Sequence, residues 1–223
     1  MTLCLDHIFV CTTMGAPEAQ ALLDAGLVEG SGNVHPGQGT SNRRFFFERG
    51  FLELLWVHDE SEATSTRTRP TRLWERWSKR AGQANPFGIC FSPRSEVDHC
   101  LPFASWAYEP VYLPKGKRIN FAQEAALSEP ELVALSWPQL PAAAASQPRA
   151  HKLPLSSMLE VSVGLPDTKD LSEPMRAARD SGLLKLHRSA RPELVVEFSS
   201  SHSIDLHLPS LAITLQGRPG SAA

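Results

Sequence analysis

The order of apolar and polar positions is dominated by strand patterns with a few short helices between them. LCLDHIFVC (3–11) reads as a buried strand from its β-branched and aromatic content. A helix follows, with Pro17 near its first turn, Leu22 and Leu23 facing inward and Gly26 as its stop. LVEGS begins a second strand that fades into the glycine-rich loop GNVHPGQGTSN (32–42). NRRFFFE and FLELLWV then flank Arg49-Gly50, the layout of a tight hairpin. Residues 3–57 therefore predict β-α-β-β-β. Further on, Thr71–Arg80 predicts a short helix, and GICFS, EPVYLP and ELVALSW predict short strands. PQLPAAAASQPRAHKLP (138–154) carries four prolines and four consecutive alanines, and reads as a linker or surface crossover. Beyond it MLEVSVGL, a helix capped by Ser172, LLKLHR, ELVVEF and SIDLHL repeat the first pattern, with LAITLQ as an extra strand.

Hairpin parity sorts the side chains of 42–56. A two-residue turn at Arg49-Gly50 pairs Phe46 with Glu53 and puts Asn42, Arg44, Phe46, Glu48, Glu53 and Leu55 on one face. The other face, with Phe45, Phe47, Leu52, Leu54 and Trp56, is greasy and is expected to pack on helices. Asn, Arg and Glu among apolar residues suit the wall of a ligand cavity.

Composition narrows the function classes. In 223 residues, 42% are hydrophobic and 21% charged, which is ordinary for a chain with a proper core. Twenty-two basic against 24 acidic residues leave a charge of −2, against coating nucleic acid or anionic lipid. The basic cluster Arg67–Arg80 reads as a solvated helix face. No run approaches the roughly 18 apolar residues of a membrane helix. The N-terminus lacks the basic start of a secretory signal, so the expected location is cytoplasmic. Cys4, Cys11, Cys90 and Cys100 form no C-x-x-C and read as reduced thiols without a role. Ser199–Ser203 with His202 lacks any nucleophile elbow.

The strand opening Leu5-Asp6-His7, the stretch H-P-G-Q-G-T-S-N-R-R-F-F-F (35–47) and the closing F-L-E-L-L-W-V (51–57) together resemble the vicinal oxygen chelate superfamily, more narrowly its glyoxalase-like domains. P-F-G-I-C-F (86–91) resembles the start of a second module. The resemblance implies an α+β fold: tandem βαβββ modules forming curved mixed β-sheets around a cleft, as in the glyoxalase/bleomycin resistance/dioxygenase group. It divides the chain into a glyoxalase-like domain (1–137, with a first module 3–57 and a degenerate second module 86–137), a linker (138–154), a C-terminal βαβββ-like module (155–217) and a tail (218–223).

For function, the resemblance implies a small oxygenated metabolite bound in the cleft, with lyase, isomerase or dioxygenase chemistry. Manganese, iron, nickel or zinc would serve as Lewis acid. His7 and Glu53 match the first-module ligands and are the catalytic candidates. His35, Gln38, Thr40, Asn42 and Arg44 are the substrate-binding candidates, Arg44 as anion anchor. The second module lacks a ligating histidine, and LVALSW lacks a carboxylate matching Glu53. Aligning CLDHIFV with SMLEVSV and FLELLWV with SIDLHLP offers Glu160 and Asp205 as replacement metal ligands, with His207 beside Asp205. The alternative is a metal-free protein that sequesters a small compound, as resistance members of the superfamily do. A small-molecule ligand is the expected partner, without nucleic acid or membrane; whether the chain forms a homodimer stays open.

Overall fold

The computed structural model describes residues 3–95, 100–138 and 146–219. Two mixed β-sheets share one core. In the first, β1 (Leu3–Cys11), β2 (Asn33–His35), β3 (Thr40–Phe46), β4 (Phe51–Val57), β5 (Phe87–Pro93), β6 (Ser105–Tyr108), β7 (Ile119–Ala122) and β8 (Glu131–Leu135) run in the order β2-β3-β4-β1-β5-β8-β7-β6. Each closing strand lies parallel beside its module's first strand, β4 on β1 and β8 on β5. The modules meet through the antiparallel β1–β5 pair. That pairing relates the halves by a local two-fold and curls the sheet around a cleft, the α+β fold that the sequence implies.

Three short helices serve the first sheet: α1 (Ala19–Asp24), α2 (Glu60–Ala63) and α3 (Leu73–Ser78). The Asp59 carboxylate caps α2 by accepting the Glu62 N–H. The second strand does not form at LVEGS. There the Val28 N–H goes to His151 Nδ1 and the Gly30 N–H to the Arg44 carbonyl. With its donors taken singly by different partners, the segment has no ladder to join, and β2 forms instead within the glycine-rich stretch. EPVYLP is a turn, and β6 and β7 flank it.

The β3–β4 hairpin pairs Arg44 with Glu53 and Phe46 with Phe51, two residues away from the two-residue-turn register. The longer loop is stable because the next sheet satisfies its backbone. The Glu48 N–H donates to the Ser156 carbonyl, and the Met158 N–H donates to the Arg49 carbonyl. A slip of two preserves parity, so the two faces are those read from the sequence.

The second sheet contains β9 (Leu155–Leu165), β10 (Lys185–Arg188), β11 (Glu193–Ser200), β12 (Ile204–Leu208) and β13 (Ile213–Pro219), in the order β10-β9-β11-β13-β12. Helix α4 (Glu173–Asp180) follows β9, capped by Ser172 as expected. β10 lies parallel on β9, β11 antiparallel on β9, and β13 parallel on β11. The order therefore repeats β4-β1-β5-β8-β7 of the first sheet. In this arrangement β10 corresponds to β4, and β12 corresponds to β7. The alignment of SIDLHLP with FLELLWV is thereby corrected.

The greasy face of the first sheet packs chiefly on this second sheet rather than on helices. Ile8, Phe45, Leu52, Leu54 and Ile89 belong to one buried cluster with Val161, Val163, Leu194, Val196 and Phe198, joined by Leu22 of α1 and Met175 of α4. The rings of Phe47 and Phe198 meet at 4.5 Å between the sheets. The segment before β9 is docked: the Lys152 N–H donates to the Gly26 carbonyl, and Gln147 bonds Ser31 through both ends of its amide. The remainder of the expected linker (139–145) and the end of the tail (220–223) lie outside the described residues. No helix among the described residues is long and apolar enough to cross a membrane.

Candidate functional site: the cleft of the first sheet

The open face of the first sheet holds a cavity of about 390 Å³, lined among others by His7, His35, Gln38, Asn42, Arg44 and Glu53. The strand β1 reaches it by a bulge. Leu5 faces Phe91 and His7 faces Cys90, so two steps on β1 oppose one step on β5. Strand parity changes across Asp6: Leu3 and Leu5 lie with the intersheet core, and so do Ile8 and Val10. Asp6 and His7, adjacent in sequence, thus both line the cavity.

Their contact fixes the imidazole. His7 Nδ1 lies 2.7 Å from Asp6 Oδ1, so Nδ1–H donates to the carboxylate and Nε2 is turned toward the cleft. The ring stacks on Phe51 at 4.2 Å. Nε2 stands 3.5 Å from Glu53 Oε2, an ion-pair contact with both side chains largely shielded from water. Asn42 holds the other oxygen of Glu53, Nδ2 to Oε1 at 2.6 Å. The Asn33 N–H at Asn42 Oδ1 sets the amide's orientation.

Arg44 crosses above this group. Its guanidinium carbon lies 4.9 Å from the Phe46 ring centroid and 5.8 Å from that of Phe51. Nε and Nη2 bond Ser31, while Nη1 makes no hydrogen bond among the described residues. Burial lowers the Arg44 pKa from its ordinary value, and the Glu53 carboxylate partly offsets this. A desolvated guanidinium with an open donor is a receptor for an anionic group.

The glycine-rich loop adds a relay across the cleft mouth. The Tyr112 hydroxyl donates to Gln38 Oε1, and Gln38 Nε2 donates to Thr40 Oγ1. Thr40 Oγ1 lies 2.8 Å from His35 Nδ1 and carries the chain of hydrogen bonds to the ring. Thr40 itself is fully buried behind the loop and positions His35 and Gln38; it does not line the cavity.

Burial, the largest cause, lowers the His35 pKa. Above the unfolded imidazole value of about 6.5, both states are neutral and the group contributes no pH dependence. Below it the unfolded chain takes up a proton that folded His35 resists, so stability falls as pH falls toward the folded value. The denaturant midpoint should decline between pH 7.5 and 5.0, and His35→Gln should flatten that decline. An equally steep decline in the variant would exclude His35 as a source.

The structure does not bring Glu160 and Asp205 to this cleft. Glu160 pairs with Lys185 at 2.7 Å on the second sheet, whose inward face packs against the opposite side of the first. Asp205 is exposed on β12, and His207 bonds Thr214 there. The sheet that carries them is layered behind Leu52 and Leu54, away from Glu53.

A second carboxylate lies in the same row across the sheet as Glu53. Phe9 pairs with Glu53 on one side and Gly88 on the other, and Gly88 pairs with Glu131. Glu131 thus lies in line with Glu53 across β1 and β5, one residue before the stretch LVALSW. It is bound elsewhere: Arg76 of α3 donates from Nη2 to Glu131 Oε2 at 3.0 Å, and from Nη1 to the Asn85 and Glu129 carbonyls at 2.7 Å each. Arg76 is 1% exposed, which corrects the reading of the basic cluster as wholly solvated.

These placements decide how a divalent metal would fit. The hard donors that line the cavity include His7 Nε2, Glu53 and the His35 imidazole. Asp6, His7 and Cys90 each place one donor atom within 4.8 Å of the others, but Asp6 already accepts from His7. Burial pushes the Cys90 thiol well above its ordinary pKa when no ion is beside it. On β8 the positions that line the cleft are Val133 and Leu135, while Glu131 is held by Arg76. An ion in this cleft would rest on His7 and Glu53 with Asp6 and Cys90, without a ligand from β8 among the described cleft-lining residues. Cys90, Tyr112 and the Arg76–Glu131 pair carried no functional signal along the chain. Asp6 stood in the Leu5-Asp6-His7 motif, but nothing local marked it as the partner of His7.

A family model described as a glyoxalase-like domain matches residues 5–177. A hypothetical protein from Staphylococcus aureus superposes with a TM-score of 0.56 at 11% identity, over 97% of this chain and 99% of that one. Methylmalonyl-CoA epimerase in complex with methylmalonyl-CoA and ammonium gives 0.41 at 16% identity, over 60% and 94%. A mutant of 4-hydroxymandelate synthase from Streptomyces coelicolor gives 0.42 at 15% identity, over 96% and 62%. A search of curated proteins returned no matching sequence. With the family model spanning most of the chain, this chain belongs to the glyoxalase-like domain family.

Proposed function

We propose that this protein is an enzyme of the isomerase or lyase type that moves a proton on a small oxygenated, anionic metabolite, using His7 and Glu53 without a metal. The observation that carries this reading is the 3.5 Å approach of His7 Nε2 to the Glu53 carboxylate at the wall of one cavity. With one proton between them, the two groups are an acid–base pair. The Glu53 carboxylate takes the proton from carbon next to a carbonyl. The His7 imidazolium gives its Nε2 proton to the carbonyl oxygen, which yields a neutral enol. Return of both protons, to the other face or to the neighbouring carbon, completes the exchange without any co-reactant. Asp6 holds the tautomer and stabilises the imidazolium, Asn42 keeps Glu53 aimed, and Arg44 binds the substrate's anionic group.

Proton exchange can be followed whichever product forms. Incubating the protein in D2O with a panel of 2-oxo and 3-oxo acids should cause loss of one α-carbon proton signal by NMR. Elemental analysis of protein purified without chelators should find no stoichiometric manganese, iron, nickel or zinc. Stoichiometric metal lost in both His7→Ala and Glu53→Ala would overturn the metal-free reading. Binding of a panel acid without exchange would favour the sequestration reading, which the hydrocarbon at Val133 and Leu135 also suits.

A further inference from the structure

The charged groups of the cavity gather on the first module, among Phe9, Phe46, Phe51 and Leu55 of the same side. On the first-module side stand His7, Asn42, Arg44 and Glu53; across β1, the wall is built from Ile119, Phe121, Val133, Leu135, Leu113 and Trp137. Phe121 and Val133 are buried in a small cluster with Cys90 and Tyr108, against which Ile119 and Leu135 pack only partly buried. Trp137 is half-buried too, with Lys117 Nζ 4.9 Å above its ring. At about 390 Å³ the cavity lies in the range of organic ligand sites, roughly 300–1,000 Å³. An acid of two or three carbons held at Arg44 and Glu53 would leave this hydrocarbon wall wet. Hydrocarbon that faces a cavity is the complement of an apolar substituent.

We infer that the substrate is amphipathic: an anionic oxygenated head at Arg44, His7 and Glu53, joined to an acyl-chain or aryl tail that lies on Ile119, Phe121, Val133 and Leu135. This assignment rests on the proposed function for its head and on the second-module wall for its tail, so the two halves fail separately. It also gives the second module a purpose. Where it lacks cleft-facing donors, it supplies the tail subsite, and the degenerate positions Val133 and Leu135 become specificity residues.

The experiment is calorimetric titration with straight-chain 2-oxo acids from pyruvate to 2-oxooctanoate, alongside 2-alkanones of matched length. Affinity should rise about fourfold per methylene across at least the first three added carbons. Leu135→Asn should flatten that slope, and Ile119→Asn, at a second half-buried position, should do the same. Arg44→Gln should weaken every acid by a similar factor and leave the slope intact. A wild-type slope near zero, or one that survives in both asparagine variants, overturns the tail subsite and leaves the acid–base reading standing. Alkanones that bind as tightly as the acids would instead overturn the anionic head, while the chain-length slope would still support the tail.

Discussion

Replacing Arg76 by methionine is expected to destabilise the protein by about 3–5 kcal/mol, the cost of removing one partner from a buried ion pair. The guanidinium is enclosed between α3 and β8, and its loss strands the Glu131 carboxylate in a site that water does not reach. Burial already pushes the Glu131 carboxyl above its ordinary pKa despite the neighbouring cation. A carboxyl raised in the folded state favours folding below its unfolded pKa and loses that contribution as pH rises through the folded value. The deficit of Arg76→Met should accordingly be largest at neutral pH and shrink as pH falls. Against a total stability of about 5–15 kcal/mol, the single variant sits near the edge of folding. The double variant Arg76→Met/Glu131→Gln should recover much of the loss, because an amide needs no counter-charge. Denaturant midpoints measure both, and a single variant within about 1 kcal/mol of wild type would mean that the pair is hydrated and does not close this end of the sheet.

Glu53→Gln should lower the rate of α-proton exchange by about 10²–10⁴-fold, the usual contribution of a positioned general base. The substitution preserves shape, and Asn42 Nδ2 can still donate to the oxygen of the new amide. Stability and binding of the exchanging acid should therefore change little while the rate collapses. His7→Gln should show a loss of similar size, and the double variant should lose little more than either single one, since one proton serves both groups. Exchange rates within threefold of wild type in Glu53→Gln would remove the carboxylate from the chemistry and, with it, the proposed mechanism.

Much of the fold was legible because its signals are local. Leu-Glu-Leu-Leu against Arg-Arg-Phe-Phe alternates with period two, so Glu53, Asn42 and Arg44 could be assigned to one face even with the turn length misjudged. Ser172, three residues before the Met175 N–H that it accepts, marks the start of α4 within a single turn. What was missed depends on contacts across many residues. The bulge at Asp6 exists only because β5 pairs out of step with β1, and nothing within 3–11 records that. Arg76 looks like any basic residue of its cluster until Glu131, 55 positions later, is folded against it. Asp205 failed for the same reason, since the strand beside β9 is chosen by pairing and not by order along the chain.

By itself, then, the sequence determined the alternation that separates a polar cleft face from a greasy one, the residues on each, and the glyoxalase-like motif that names the family. Tertiary structure alone decided which carboxylates share a site. Side-chain parity is written into each strand by backbone geometry, whereas strand order, bulges and the burial of a counter-ion are settled by which distant segments satisfy one another's hydrogen bonds and charges.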